Sequence, residues 1–100
     1  MVEVLRSATF DRWLRKFKDR HAVARILVRI DRLVLGNPGD VRSVGGGVSE
    51  LKIDHGPGYR VYFAQKGQTV VLLLCGGDKS TQSDDISSAQ RIATEWRNDD

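Results

Sequence analysis

The spacing of apolar residues changes along this chain, and each change marks an element. Val2 and Val4 alternate with polar neighbours, which predicts a short strand ending near Arg6. From Phe10 the period lengthens. Phe10, Trp13, Leu14 and Phe17 recur at i, i+3, i+4 and i+7, the spacing of a helix with one buried face, and Ser7 or Thr9 is placed to cap it. Asp19 and Arg20 separate this helix from a second one, predicted over His21 to Leu35 and closed by Gly36. Val23, Ile26, Leu27, Ile30, Leu33 and Val34 form its apolar face. Arg25, Arg29 and Arg32 stack at i, i+4 and i+7 on the opposite face.

After the turn Asn37-Pro38-Gly39-Asp40 the period drops to two. Strands are expected over Val41–Val44, Val48–Ile53, Tyr59–Phe63 and Thr69–Cys75, with turns at Gly45–Gly47, Asp54–Gly58 and Lys66–Gln68. Thr69–Cys75 is apolar on both faces, as in a strand covered on both sides. A last helix starts at Ser83 with Asp84 and Asp85, and its apolar stripe is Ile86, Ala89, Ala93 and Trp96. The order β-α-α-β-β-β-β-α with short turns predicts an α+β fold: an antiparallel twisted sheet with two N-terminal helices and one C-terminal helix packed on it. Residues 1–100 read as one domain.

Composition narrows the class. Apolar residues make up 40% and charged residues 29%, a globular balance. No apolar run approaches the roughly 20 residues that span a bilayer. The start, MVEVLRSATF, lacks the features of a signal peptide. The single cysteine, Cys75, lies in an apolar run and reads as core. These features point to the cytoplasm, with no membrane partner.

The net charge is +3, unevenly spread. Residues 1–79 carry 14 basic against 8 acidic side chains, and residues 80–100 carry 2 against 5. A basic body with an acidic tail suits an anionic partner, or is an ordinary solvated surface. Arginines outnumber lysines 11 to 5, which favours phosphate or carboxylate recognition through paired hydrogen bonds. The Arg25/Arg29/Arg32 stripe reads either as the wet side of an amphipathic helix or as a contact for nucleic acid or an acidic protein.

The most informative pattern is the hairpin of SELKI and YRVYF. With its turn centred on Gly56, Lys52 lies opposite Arg60 and Glu50 opposite Tyr62, all on one face. Like charges across a ladder repel, so the pair suggests a site for an anion. The alternatives are a slipped register or Glu50 neutralising both cations in a surface network. Lys79 follows in GGDKS, where the glycines are expected to turn the chain off the sheet and bring Lys79 to its edge, with Asp78 as its possible partner. GxxxxGK[ST] and GxGxxG after a strand are both absent. His21, His55 and Cys75 lack metal-ligand spacing, so neither a metal site nor a cofactor is expected. Trp13 and Trp96 read as core. His55 sits in an exposed turn beside the basic face, where a histidine can titrate near neutrality.

Five segments carry a family resemblance: FDRWL at 10–14, LGNPGD at 35–40, VSELKI at 48–53, GPGYRVYF at 56–63 and LLLCGGDKSTQ at 72–82, followed by DDI at 84–86. Together they resemble the RelE/HigB-type toxin superfamily, and within it the phage-derived HigB-like branch of addiction-module killer proteins. The resemblance implies the toxin of a type II toxin–antitoxin pair, a metal-independent endoribonuclease that cuts mRNA on the ribosome and so inhibits translation. The family's strand arginine matches Arg60, its basic residue in the preceding strand matches Lys52, and a further basic residue is matched loosely by Lys79. Tyr62 is placed to stack on a base or donate a proton. Arg25, Arg29, Arg32 and His55 would contact RNA. The C-terminal Tyr or His of some members has no counterpart in Arg-Asn-Asp-Asp at 97–100. The implied partners are a cognate helix-turn-helix antitoxin, the ribosome and mRNA, with operator DNA reached only through the antitoxin. A ParE-like toxin that poisons DNA gyrase without cutting RNA, or a module that only binds, shares the same expected fold.

Overall fold

A computed structural model describes residues 2–98. The elements are β1 (Glu3–Arg6), α1 (Ala8–Arg15), α2 (Arg20–Val34), β2 (Val41–Gly45), β3 (Val48–Ile53), β4 (Tyr59–Lys66), β5 (Val70–Gly77), a 3₁₀ turn (Lys79–Thr81) and α3 (Gln82–Asn98). The α+β class and the element order match the expectation. Of the C-terminal Arg-Asn-Asp-Asp, Arg97 and Asn98 end α3 and residues 99–100 lie outside the described residues, as does Met1.

The sheet has five strands in the order β1-β5-β4-β3-β2. Strands β2 to β5 form the expected antiparallel meander, while β1 joins the far edge in parallel with β5, Val4 beside Val71 and Leu5 beside Leu72. The sheet is therefore mixed.

Caps explain where the helices begin and end. Ser7 caps α1 by accepting a hydrogen bond from the Phe10 amide, and Asp19 caps α2 by accepting from the amides of His21 and Ala22. The close of α2 is a Schellman arrangement: Gly36 takes φ +85°, its amide donates to the Leu33 carbonyl, and the Asn37 amide donates to that of Arg32. Helix α1 is shorter than its periodicity implies. Lys16 caps it, and Phe17 follows outside the helix, still packed on the core.

Both faces of the sheet are covered. Phe10, Leu14, Ile26 and Ile30 of α1 and α2 pack on Leu51, Ile53, Val61 and Phe63. On the other face Ala89 and Ala93 of α3 lie over Val48, Tyr62, Ala64, Leu72 and Leu74. A bulge in β5 makes this possible. Tyr62 pairs with Cys75 but Phe63 with Leu73, so Leu74 is the extra residue. Leu74 and Cys75 consequently both face α3, and the Ser7 hydroxyl donates to the Leu74 carbonyl that the bulge displaces.

Candidate functional site

The hairpin register is the one predicted from a turn at Gly56. Lys52 pairs with Arg60, and Glu50 with Tyr62. Across the other edge of β3, Arg42 pairs with Glu50. Arg42, Glu50 and Tyr62 thus form one cross-strand row, with Lys52 and Arg60 in the next row on the same face.

The two expected cations differ in environment. Lys52 is exposed, whereas Arg60 is only 7% exposed. Arg60 was expected on display and is instead buried, on the sheet face that α3 packs against and beside the buried Glu50. Its Nη1 donates to the Gly58 carbonyl at 2.8 Å, and its Nε lies 3.6 Å from Glu50 Oε1 without a hydrogen bond. Nε is the single buried side-chain nitrogen or oxygen without a partner among the described residues.

Glu50 is the hub of this region and is 3% exposed. Its carboxylate accepts from Arg42 Nε at 2.9 Å, from the Tyr62 hydroxyl at 3.1 Å and from Gln82 Nε2 at 2.9 Å. Burial pushes the Glu50 carboxyl up, but the hydrogen bonds from Arg42, Gln82 and Tyr62 outweigh it and hold the group below the usual carboxylate value. It is a buried network, not the surface pairing considered from sequence. One carboxylate between two guanidinium groups leaves the cluster net positive, with Lys52 beside it.

Tyr62 does not fit either role expected of it. Its ring has no exposed surface for a base to stack on. Burial, followed by the charge and hydrogen bonding of Glu50, raises its hydroxyl well above the ordinary tyrosine value, so the phenol holds its proton.

Lys79 is exposed on the 3₁₀ turn, as expected of an edge position. The reason for Gly76 and Gly77 is different from the expected turn. Both belong to β5, and neither has positive φ. A Cβ at Gly76 would collide with the Trp13 ring, and one at Gly77 with the Asp85 carboxylate and the Thr81 hydroxyl. The glycines make room for side chains on opposite faces. Asp78 does not pair with Lys79; its Oδ1 accepts from the Ser80 amide and hydroxyl and caps the turn. Those Ser80 hydrogen bonds hold its carboxyl below the usual value.

The arginine stripe is more than a wet face. Arg25, Arg29, Arg32 and Lys52 line a groove of about 300 Å³ together with Asp40 and Asp54. Arg29 donates to the carbonyls of Pro38 and Lys52, so it fastens α2 to the strands, while Arg25 and Arg32 are exposed. His55 is half-buried, stacked on Tyr59 and 4.0 Å from Asp19. Cys75 is core as expected, with its thiol pushed up to about 12 by burial.

The structure therefore brings Lys52 and Arg60 into one rung and Lys52 beside the arginine stripe, and sets Tyr62 apart as a buried support. Gln82 and Arg42 were not singled out from sequence. For Arg42 the signal was available: it lies on the same face as Glu50 by alternation, one strand away. Gln82 becomes relevant only when α3 docks. Among the described residues no three His, Cys, Asp or Glu side chains gather in a way that could hold a metal ion, and no helix is long and apolar enough to cross a membrane.

Comparison with known proteins adds two findings. The family described as "Phage derived protein Gp49-like (DUF891)" matches residues 12–97. An uncharacterized protein of Haemophilus influenzae is 50% identical over 94 residues, covering 94% of this chain and 95% of the relative.

Proposed function

Because this chain belongs to the family of phage-derived Gp49-like proteins, we propose that it is the toxin of a type II toxin–antitoxin pair and acts as a ribosome-dependent mRNA interferase. The observation that carries this reading is the Lys52–Arg60 rung. It sets an exposed ammonium opposite a guanidinium that is held in place by Gly58 and Glu50. Like charges across a ladder are unfavourable unless an anion offsets them, and a phosphate of single-stranded RNA is the anion in question.

The chemistry follows from the charge balance. RNA cleavage through its own 2′-hydroxyl needs a base to take that proton, cations to stabilise the extra charge on the phosphorane, and an acid for the departing 5′-oxygen. Arg60 is the phosphate-stabilising group. Lys52 and Lys79 are the exposed candidates for proton transfer. Arg25 and Arg32 line the groove that leads from Lys52 and would follow the RNA backbone. A sparse set of acid–base groups suits an enzyme whose substrate is oriented by the ribosome. A helix-turn-helix antitoxin is the corresponding protein partner.

The test is induction of wild type and Arg60→Ala in bacteria, with transcript ends mapped genome-wide. Codon-linked cuts that vanish in Arg60→Ala, together with loss of growth arrest, are expected. Growth arrest with intact mRNA and trapped DNA–gyrase complexes would replace this reading with a gyrase poison.

A further inference from the structure

The aromatic residues assigned to the core by periodicity do not all close into it. Phe10, Trp13, Phe17, Tyr59 and His55 run as a chain of neighbouring rings, with centroids 5.8, 4.9, 5.0 and 6.4 Å apart. The chain begins at Phe10, which is wholly buried, and ends at the turn residue His55. Trp13–Phe17 and Phe17–Tyr59 meet edge to face. Trp13, Phe17 and Tyr59 stay half-buried around a shallow cavity of about 220 Å³ that is open to the surface, completed by Lys16, Gly77 and Asp78.

The position of the cavity matters. Gly77 is the cross-strand partner of Arg60, and Asp78 directly follows it. Tyr59 directly follows Gly58, whose carbonyl receives Arg60 Nη1. The cavity therefore opens at the same end of the sheet as Arg60 but beside α1, on the face opposite the Arg60–Glu50–Tyr62 cluster, with an exposed cation, Lys16, in its wall. Aromatic walls accept the π-face of any base, the ammonium suits the phosphate backbone, and a carboxylate accepts hydrogen bonds without donating any.

We propose that this cavity receives one unpaired nucleobase bearing an exocyclic amino group, stacked on Tyr59 and Trp13, with its amino group donating to Asp78 and its phosphate backbone alongside Lys16. The inference deepens the proposed function, on which it rests for its substrate, and is measurable without cleavage. Trp13 reports on it directly once Trp96→Phe leaves it the sole tryptophan. The full chain is titrated with 2′-O-methyl trinucleotides that differ only in the central base; methylation removes the attacking hydroxyl.

Trp13 quenching is expected at about tenfold lower concentration for central adenine or cytosine than for uracil. Asp78→Asn keeps a good helix-cap residue but offers a donor as well as an acceptor, so this preference collapses. Tyr59→Leu weakens binding of every trinucleotide, and Tyr59→Phe restores it. Equal titration of all bases by the parent, or no quenching at all, overturns the proposal. In cells, Asp78→Asn is expected to change the bases flanking the cuts. Unchanged flanking bases sink the pocket but leave the nuclease standing. A wild type that cuts nothing sinks the nuclease, and the Trp13 titration then decides the pocket alone.

Discussion

The face of the sheet under α1 and α2 is filled by large apolar groups, whereas the face under α3 combines small alanines with a buried ionic cluster. On the first face Phe10, Ile26 and Ile30 meet Leu51, Ile53, Val61 and Phe63. On the second, Ala89 and Ala93 bring α3 close to the strands, and Glu50, Arg60 and Tyr62 occupy the end where the helix begins. Large side chains hold a helix by area, and loss of one leaves a void. A buried ionic cluster holds it by pairing, and loss of one partner strands a charge. The first kind of face fails by degrees and independently of pH. The second fails abruptly and with acid.

Glu50→Ala tests this contrast hardest. It leaves Arg60 buried without a counter-charge and should cost about 3–5 kcal/mol in urea unfolding. Glu50→Leu combined with Arg60→Met should recover much of that loss, since both charges are removed together. A cost below about 1 kcal/mol for Glu50→Ala would mean that area alone holds α3.

Acid should separate the two faces next. The Glu50 carboxyl is held below its ordinary value of 4.5. A depressed folded-state value means that the unfolded chain binds the proton more readily, so the contribution is complete above about pH 4.5 and is lost as pH falls through the lower folded value. Denaturation followed downward from pH 6 should show this extra acid slope in wild type and lose it in Glu50→Gln. A Phe10→Leu variant, less stable throughout, should keep the wild-type slope.

On the apolar face, Gly76→Ala pushes a methyl into the Trp13 ring and should cost about 1–3 kcal/mol, read as a lowered thermal midpoint with a changed Trp13 emission. The smallest stability effect belongs to Lys52→Ala. The side chain is exposed, so unfolding should move by no more than about 0.5 kcal/mol. Growth arrest should nevertheless be lost, which sets a functional surface beside a structural one in a single rung.

What could be read from the chain follows the range of each interaction. Alternation and the turn at Gly56 are local, and they gave the pairing of Lys52 with Arg60 and of Glu50 with Tyr62 correctly. Caps at Ser7, Asp19 and Gly36 are local as well. The parallel pairing of β1 with β5 is not, because nothing in Val2–Arg6 names a partner almost 70 residues away. The bulge at Leu74 is hidden in an unbroken apolar run, where any residue can be the extra one. The hydrogen bond from Gln82 to Glu50, beside the buried Arg60, depends on α3, a third element that the hairpin pattern does not contain. The same holds for Gly76 and Gly77, whose neighbours Trp13 and Asp85 come from opposite sides of the sheet.

The pairing of β1 with β5 also orders events during synthesis. The first strand leaves the ribosome early, yet its backbone partner is made only when residues 70–77 are translated. Arg60 waits longer still, since Gln82 completes the hydrogen bonds of the carboxylate beside it. A nascent chain halted before α3 therefore carries every basic residue of the proposed site without the fold that arranges them. For a protein proposed to attack translation, the arrangement delays assembly of that site until α3 has been made.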